Sequence, residues 1–496
     1  MAIDTSQLNL QELGQHGYRL TPATLAQKTT GGMWVPARHL TYISSIVASA
    51  ISKGGARLTI SIPPRHGKSE FCSVHTPIWV MENFPRQHII LASYGADLST
   101  DFSRRVRDTF LDPDLENVLQ TRLDQNSRQT GRFHTEQNGA MFAMGLSGAI
   151  TGRGANLLLV DDYLKNADES LSASQRDKVF ETFRSTVFTR LEPGASVIIV
   201  ATRWHPEDLI GKIHAEWPNR WQHIELPALA REDDPLGREV GEPLWPQRFS
   251  RDNLLEIKDT LGTYWWEALY QQRPMASMSS VNLAEQLKVI DYGELPSFNH
   301  LLFLRAWDLA ASESKGDWSV GFLLAAHKDT GHFFIVDITR FRKSPAGTKE
   351  MIKTVAERDG KGVPIEIEQE PGSSGKSYIE HLKGEVLQGH SVRGERPTGP
   401  LEVRASPLLA AIEAGRCSMV RADWNDEFLA ELAAFPNGDH DDQIAAGAIA
   451  FRRLDKNRFG GAVWGRGKAA QQGSGSQPRA GSGQKGKGYK TGIVWR

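Results

Sequence analysis

The chain has 496 residues, 40% of them hydrophobic and 24% charged, and a formal net charge of −1. This length exceeds what one ordinary core buries, so the sequence predicts two globular domains joined by connecting material. The near-zero net charge excludes a molecule-wide field for a polyanionic partner, so any nucleic-acid surface must be local.

Residues 1–55 are predicted to be a lead-in to the first domain. The opening stretch "MAIDTSQLNLQELG" lacks the charged-then-apolar pattern of a secretory signal. Cys72 and Cys417 are the two cysteines of the sequence, and no apolar run reaches the roughly 20 residues of a membrane helix. We therefore expect an intracellular protein without disulfides or a membrane span.

Residues 56–225 repeat a pattern in which a short apolar run precedes a turn and a helix-like stretch. The runs are "RLTISI", "HIILASY", "NLLLVDD" and "SVIIVATRW". This rhythm predicts an α/β domain with a parallel sheet and crossover helices.

Three segments follow this first domain. Residues 226–295 are rich in Pro, Gly and charge, which predicts an interdomain linker with some structure of its own. Residues 296–456 contain three strand-like runs followed by helix and strand, which predicts a second α/β domain with a mixed sheet. Residues 457–496 are basic and rich in Gly and Ser, as expected of a flexible tail.

The stretch "SIPPRHGKSE" combines the end of a strand with the Gly67, Lys68 and Ser69 of a phosphate-binding loop. In such loops backbone N–H groups hold the phosphates, a lysine reaches them and a hydroxyl holds magnesium. Ile62 stands where a first glycine is usual, and the two prolines that follow it cannot donate N–H groups. The cradle is therefore predicted from residues 65–69.

Two later strand ends support a nucleotide site. Asp161 and Asp162 end an apolar run, as expected if one carboxylate binds magnesium and the other orients water. Thr202 and Arg203 end another strand and can sense a terminal phosphate. Each pattern also fits an ordinary cap or turn, but together they converge at the carboxyl edge of one sheet. Arg65 or Arg153 could stabilise the transferring phosphoryl group.

A second group of acidic residues occurs in the C-terminal domain. Asp308 ends an apolar strand, and alternation in "PIEIEQE" places Glu366, Glu368 and Glu370 on one face. "FPNGDHDDQIAAG" adds Asp439, Asp441 and Asp442 before a helix. A solvated strand face and a helix N-cap are the alternatives. Carboxylates at strand ends and a helix start are also what a two-metal phosphodiester hydrolase requires, with Mg²⁺ or Mn²⁺ rather than zinc.

The ordered set of motifs resembles the large terminase subunit of tailed double-stranded DNA bacteriophages. The resemblance runs from "MWVPARHLTYISSIV" through "IPPRHGKSE", "LLLVDDYLKNADE", "ATRW" and "YWWEALYQQRP" to "WDLAASESKGDWSVG", "IEQEPGSSGKS" and "FPNGDHDD". It implies an N-terminal RecA-like P-loop ATPase of the additional-strand type and a C-terminal RNase H-like nuclease. It also implies ATP-driven translocation of double-stranded DNA into a procapsid and cleavage of the DNA concatemer.

The resemblance also assigns roles in the ATPase domain. It implies that Lys68 binds the phosphates of ATP, that Ser69 and Asp161 hold Mg²⁺, and that Thr202 couples hydrolysis to movement. Asp162 stands where the family often has a glutamate as catalytic base. "WVPARHL" lies where the family contacts adenine. The predicted nucleotide contacts are Arg65, His66, Gly67, Lys68, Ser69 and Glu70, with Arg65 also a catalytic candidate.

In the nuclease domain the resemblance favours Asp308, Glu368 and Asp442 as catalytic metal ligands. Asp441 is the next candidate ligand, together with Glu370, and Glu366 is predicted to lie outside the site. The ions are Mg²⁺ or Mn²⁺.

The implied partners are double-stranded DNA, the portal protein and the small terminase subunit. The protein is expected to form a homo-oligomeric ring on the portal, with a monomer in solution as an alternative. It would act in the host cytoplasm, transiently at the procapsid portal, and be absent from the mature virion. "RRVR" at 104–107, "RFRK" at 340–343 and the basic tail are candidate DNA contacts.

Two other functions remain open from the sequence. A helicase-like or translocase-like ATPase would have a C-terminal domain that binds DNA without cutting it. An assembly scaffold would carry a vestigial ATP site.

Overall fold

The structure is a computed structural model that describes residues 17–148, 154–310, 318–370 and 372–458. The first 16 residues, Arg153 and most of the predicted tail, residues 459–496, lie outside the described part of the chain. No helix within that part is both long enough and apolar enough to cross a membrane.

The N-terminal domain is built on an eight-stranded sheet. Its strands are β1 (Arg57–Ser61), β2 (His88–Ser93), β3 (Leu123–Gln129), β4 (Arg132–Thr135), β5 (Ala140–Gly145), β6 (Ala155–Asp161), β7 (Leu191–Ala201) and β8 (Gln222–Glu225). The spatial order is β3-β4-β5-β2-β6-β7-β1-β8. The last six strands in this order, β5, β2, β6, β7, β1 and β8, are parallel to one another. The predicted parallel sheet is confirmed, and β7 lies between β1 and β6.

Helices cover both faces of this sheet, which explains why its central strands are continuous apolar runs rather than alternating ones. The helices are α1 (Pro22–Thr29), α2 (Arg38–Lys53), α3 (Thr76–Asn83), α4 (Ala96–Phe110), α5 (Ala167–Leu171), α6 (Ala173–Thr182) and α7 (Leu209–Glu216). A π-helical segment, Glu70–His75, leads directly into α3.

The C-terminal domain contains a seven-stranded mixed sheet. Its strands are β9 (Lys288–Ile290), β10 (Leu301–Asp308), β11 (Ser319–His327), β12 (Phe333–Phe341), β13 (Ile365–Glu368), β14 (Val392–Glu395) and β15 (Cys417–Val420). The order is β14-β13-β10-β11-β12-β15-β9, in which β10, β11 and β12 are antiparallel and the outer pairs are parallel. The predicted mixed sheet is confirmed.

The remaining helices pack around the second sheet or connect the two domains. They are α8 (Arg251–Trp265), α9 (Leu283–Gln286), α10 (Pro345–Asp359), α11 (Ser373–His381), α12 (Leu401–Glu413), α13 (Asn425–Ala434) and α14 (Asp442–Arg458). Helix α14 packs on β10 and β11. The segment predicted as a linker therefore contains α8 and α9, and its strand β9 pairs with β15 at the edge of the second sheet.

Helix α8 connects the first domain to the second. Gly262 has a φ of 75°, and a Cβ atom there would lie 3.2 Å from Ala410 Cβ on α12. A glycine is therefore required both by the backbone conformation and by the close packing of the two helices. Glu413, at the end of α12, accepts a hydrogen bond from Thr263 N (2.9 Å).

Two candidate active sites

The loop after β1 turns later than a standard phosphate-binding loop. Ile62 donates its backbone N–H to Ala201 O (3.3 Å), which extends the pairing of β1 with β7, and its side chain is buried. The turn comes afterwards, at Arg65 (φ 62°) and Gly67 (φ 85°), and helical backbone starts at Lys68. An apolar residue replaces the first glycine because that position still belongs to the strand and the core.

Lys68 forms an ion pair with Asp162, at 2.9 Å between Nζ and Oδ2. Burial alone lowers the pKa of Lys68, but Asp162 and Asp161 outweigh it, and the pKa lies above its ordinary value. Asp162 has a left-handed backbone (φ 48°) that is held by its N–H donating to Val200 O and its carbonyl accepting from Tyr94 N. The loop lysine is therefore charged and faces the carboxylate that follows β6.

Asp161 accepts hydrogen bonds from Ser69 Oγ (3.1 Å) and Ser73 Oγ (2.7 Å). Burial, followed by the neighbouring Asp162, raises the pKa of Asp161 to about 7. A hydroxyl and a carboxylate within hydrogen-bonding distance fit the ligands that Mg²⁺ takes in proteins. Sequence reasoning missed Ser73, although its spacing of four residues from Ser69 could have placed it on the same helical face.

The side chains of the other predicted loop contacts point in different directions. His66 is buried and stacks on Phe249 at 4.9 Å, and burial lowers its pKa to about 3. Glu70 forms an ion pair with Arg105 of α4. Arg65 is exposed. Of the side chains from 65 to 70, the structure brings Lys68 and Ser69 to the two aspartates.

The end of β7 lies between the loop and Asp162. Thr202 donates its hydroxyl to Ile62 O (3.3 Å) and its backbone N–H to Asp162 Oδ1 (3.4 Å). Arg203 instead turns its guanidinium to Asp208, at 2.9 Å from Nε to Oδ2. Thr202 is therefore the residue of "ATRW" that contacts both halves of the site.

A glutamine from the segment joining the domains also supports this site. Gln272 is fully buried, has a φ of 61°, and accepts the backbone N–H of Arg203 at 3.1 Å. Sequence reasoning quoted "YQQRP" but assigned no role to this residue. No local pattern in the sequence distinguishes it from the neighbouring Gln271, which is also buried.

The second site combines Asp308, Glu368 and Asp442 from three elements. Parallel pairing of β10 with β13 sets Trp307 beside Ile367, so the two acids at the strand ends are neighbours. Asp442 begins α14, which packs on β10. Burial, followed by the charges of Glu368 and Asp442, raises the pKa of Asp308 to about 8. Mutually repelling carboxylates of this kind fit a cation-binding site.

The structure distinguishes the remaining acidic candidates by exposure. Asp442 is buried, whereas Asp441 and Asp439 are exposed. Strand β13 ends at Glu368, so Glu370 is exposed beyond it and does not continue the predicted alternation. The prediction that the three glutamates share one strand face is thus wrong for Glu370.

Arginines face the glutamates of β13. Arg404 Nη1 lies 3.2 Å from Glu368 Oε2, and both side chains are mostly buried. Arg453 Nε lies 3.4 Å from Glu366 Oε2, so Glu366, which was predicted to lie outside the site, has an arginine partner of its own. Sequence reasoning missed Arg404, because it stands on α12, 36 residues after its partner.

The basic segments that the sequence suggested as DNA contacts are engaged within the protein. In "RRVR", Arg104 pairs with Asp101 (2.9 Å), Arg105 with Glu70, and Arg107 with its neighbouring aspartate. In "RFRK", the guanidinium groups of residues 340 and 342 each lie 4.0 Å from the ring centroid of Trp318. The basic tail lies outside the described residues.

A further polar cluster, formed by His300, His327 and Asp329, lies at the opposite end of β11 from the acidic site. Ring nitrogen Nδ1 of His327 accepts from the backbone N–H groups of Asp329 (3.2 Å) and Thr330 (3.3 Å). These bonds fix the proton on Nε2, so this ring has no free lone pair for a metal.

Two family models match the chain. The terminase RNase H-like domain matches residues 305–453, and the N-terminal domain of the T4-like-virus type of terminase large subunit matches residues 59–263. No curated protein sequence matches the chain.

Several solved structures are similar to the chain at low identity. The large terminase of a thermophilic bacteriophage is 11% identical, with 84% of this chain and 97% of that chain covered and a TM-score of 0.48. The large terminase of bacteriophage HK97 is 12% identical, with coverages of 82% and 94% and a TM-score of 0.33. The large terminase nuclease of the thermophilic phage G20c is 17% identical, with coverages of 36% and 98% and a TM-score of 0.26.

Proposed function

The chain belongs to the large terminase subunit family, and on that premise we propose that it is an ATP-driven DNA-packaging motor that also cuts DNA. The N-terminal site would hydrolyse ATP, and the C-terminal site would cleave the DNA concatemer. The observation that carries the proposal is the meeting of Lys68 and Ser69 with Asp161 and Asp162 across β7.

The ion pair between Lys68 and Asp162 suggests how nucleotide binding prepares hydrolysis. A charged lysine that now contacts a carboxylate would exchange it for the phosphates of ATP. Asp162 would thereby be released to accept a proton from the attacking water, while Thr202 N holds the carboxylate in place. Ser69 and Asp161 would hold Mg²⁺, which neutralises charge on the phosphates. Arg65, at the exposed turn, would reach the phosphoryl group.

In the second site, Asp308, Glu368 and Asp442 would hold Mg²⁺ or Mn²⁺, with Asp441 as the next ligand. Two such ions would activate water and stabilise the leaving oxygen of a phosphodiester. The carboxylates come from two strands and a helix, so their spacing is set by the sheet and by the packing of α14.

The family assignment extends the proposal to partners and location. We expect double-stranded DNA as substrate, with the portal protein and the small terminase subunit as assembly partners. The active form would be a homo-oligomeric ring at the procapsid portal in the host cytoplasm, absent from the mature virion.

The test is a pair of variants measured in two assays. Lys68→Ala should lower ATP turnover by about 10²-fold to 10³-fold, because it removes a charged group from the phosphates, and should largely spare DNA cleavage. Asp308→Ala should abolish cleavage of a plasmid with Mn²⁺ and largely spare ATP turnover. Lys53→Ala and Asp423→Ala, which alter exposed residues away from both sites, are the matched controls.

Three outcomes would contradict the proposal. Unchanged ATP turnover in Lys68→Ala would leave a scaffold with a vestigial site as the better explanation. Intact ATP turnover without any cleavage by the wild type, in all salt and metal conditions, would favour a translocase that does not cut. Loss of both activities in both variants would refute two separable sites.

A further inference from the structure

A groove of about 470 Å³ runs between α11 and the edge strand β14 of the second sheet. Four cationic side chains line it, from two segments of the chain: Lys376, Lys383, Arg393 and Arg396. Glu380 is the acidic residue among its lining residues. The groove therefore carries an excess of three positive charges in a protein whose total charge is −1.

These four side chains are exposed, and none has an ion-pair partner within the described residues. This differs from the "RRVR" segment, whose three arginines are paired with carboxylates. Exposed cations that converge without acidic partners are those available to an external anion.

Gly394 of β14 is among the residues that line the groove. A Cβ atom on Gly394 would lie 3.0 Å from the side chain of Gln369 and 3.1 Å from Ile379. Any larger residue would therefore fill the space between the strand and α11. At Gly394 the edge strand β14 can therefore approach α11 closely.

The groove ends at Gln369, the residue after Glu368. The two side chains point to different sides of β13, Glu368 toward Arg404 on α12 and Gln369 toward the groove. With its amide oxygen turned to the guanidinium, Gln369 accepts from Arg396 Nε (2.9 Å) and Nη2 (3.2 Å). Its backbone N–H donates to Glu395 O at 2.7 Å, which ties the end of β13 to the end of β14. A phosphate held by Arg396 would thus lie beside the strand end that carries a predicted metal ligand.

We propose that this groove binds the phosphate backbone of double-stranded DNA and sets where the duplex crosses the nuclease carboxylates. The inference rests on the proposed nuclease function and adds the DNA-contacting residues, which neither the motifs nor the family models supply. Lysine and arginine contacts to phosphates hold the register of a duplex without reading its sequence.

The test measures duplex binding without either enzymatic activity. A fluorescent DNA duplex would be titrated with the full chain in EDTA at several salt concentrations, for the wild type and for a variant with all four groove cations changed to glutamine. Each lost phosphate contact lowers the slope of log K against log salt by about 0.9, so the slope should fall by about 2–4. Arg104→Gln with Arg107→Gln, which removes two paired cations, should leave the slope unchanged.

The design keeps the result independent of folding and of the proposed activities. A circular-dichroism spectrum and a urea unfolding midpoint that match the wild type show that the fourfold variant is folded, and single glutamine variants at the same exposed positions each predict a slope change of about 1. An unchanged slope in every variant would overturn the proposal and would leave an acidic protein surface as the ligand of the groove. Failure of the proposed function would instead appear as a wild type without ATP turnover or cleavage.

Discussion

Asp162 combines a left-handed backbone with an ion pair to Lys68 and a contact to Thr202 N. Aspartate and asparagine tolerate this backbone region better than most residues. Replacing Asp162 with asparagine therefore removes the charge without changing the backbone preference at this position.

Asp162→Asn is expected to lower ATP turnover by about 10²-fold to 10⁴-fold, because an amide cannot accept the proton of the attacking water. Nucleotide binding should persist, since Lys68 is freed from its carboxylate partner. Steady-state turnover and binding of a fluorescent ATP analogue measure the two effects. Turnover within about threefold of the wild type would assign the base to another residue.

Arg404 is the cation that the structure places on Glu368. Arg404→Gln should increase the affinity for Mn²⁺, because it removes a positive charge that competes with the ion for this carboxylate. Electron paramagnetic resonance of bound Mn²⁺ measures the shift, which we expect to be about tenfold for an interaction of about 1.4 kcal/mol. Arg453→Gln is the matched control, since it breaks a similar pair on Glu366. Equal affinities in both variants would contradict a role for Arg404 at the metal site.

At the scale of elements, β10 is tied to its neighbours by a buried arginine. Arg305 has no exposed surface and forms ion pairs with Asp359 at the end of α10 (2.7 Å) and Asp337 on β12 (2.8 Å). It also donates to Gly321 O on β11 at 2.9 Å. One side chain thus joins three strands and a helix behind the strand that ends in Asp308.

Arg305→Met is expected to destabilise the C-terminal domain by about 3–5 kcal/mol, because it removes the buried cation closest to Asp359 and leaves this carboxylate only the half-exposed Arg358 at 3.6 Å. Urea unfolding followed by circular dichroism measures the loss. Arg358→Met, which changes a half-exposed arginine on the same Asp337, should cost less than about 1 kcal/mol. If the two variants lost similar amounts of unfolding free energy, the burial of the arginine would not determine how much its ion pairs stabilise the domain.

The same contacts give this network a pH dependence. Burial raises the pKa of Asp337, but Arg305 and Arg358 outweigh it and hold the pKa below the ordinary value of 3.8. A lowered folded-state pKa stabilises the fold above 3.8, and this contribution is lost as the pH falls through the folded-state value. The stability difference between wild type and Asp337→Asn should therefore shrink below pH 3.8, as urea unfolding at pH 3 and pH 6 would measure. If the difference in unfolding free energy between the two proteins instead grew as the pH falls, the pKa of Asp337 could not be lowered in the folded state.

At the scale of the whole molecule, two sheets carry two separate sites. Asp162 and Thr202 directly follow the carboxyl ends of two central strands of the first sheet, β6 and β7. Asp308 and Glu368 lie at strand ends of the second sheet. Ligands for the two sites should therefore stabilise different parts of the chain.

Mg²⁺ with ADP at about 100 times its dissociation constant should stabilise the first domain by about 2.7 kcal/mol. For a domain of this size the unfolding midpoint should rise by about 5–10 °C. Calorimetry should show this shift in the wild type and in Asp308→Ala but not in Lys68→Ala. A single transition that nucleotide shifts as a whole would indicate that the domains unfold as one unit.

The motifs and the rhythm of apolar runs were sufficient to predict both sheets, and they pointed to most of the residues that the structure brings together in the two candidate sites. A strand followed by Gly-Lys-Ser, and aspartates directly after apolar runs, are local patterns, and parallel strands bring their ends to one edge. The pattern does not specify where strands end or how helices pack. It therefore does not give the extension of β1 pairing to Ile62, the exposure of Glu370 or the contact of Ser73 with Asp161.

The tertiary structure alone decided which charges are available. Local clustering in the sequence singled out "RRVR" and "RFRK", but folding brings carboxylates and an indole ring against these arginines. The open groove is assembled from residues of α11 and β14 and of the segments that directly follow them, and its cations are separated along the chain by up to 20 residues. The sequence by itself determined the two sheets and which residue types stand at their strand ends, because hydrophobic periodicity and turn residues act over short distances. Which cations remain unpaired in the groove, and that Arg404 pairs with Glu368, is settled by contacts between distant segments, which no local pattern contains.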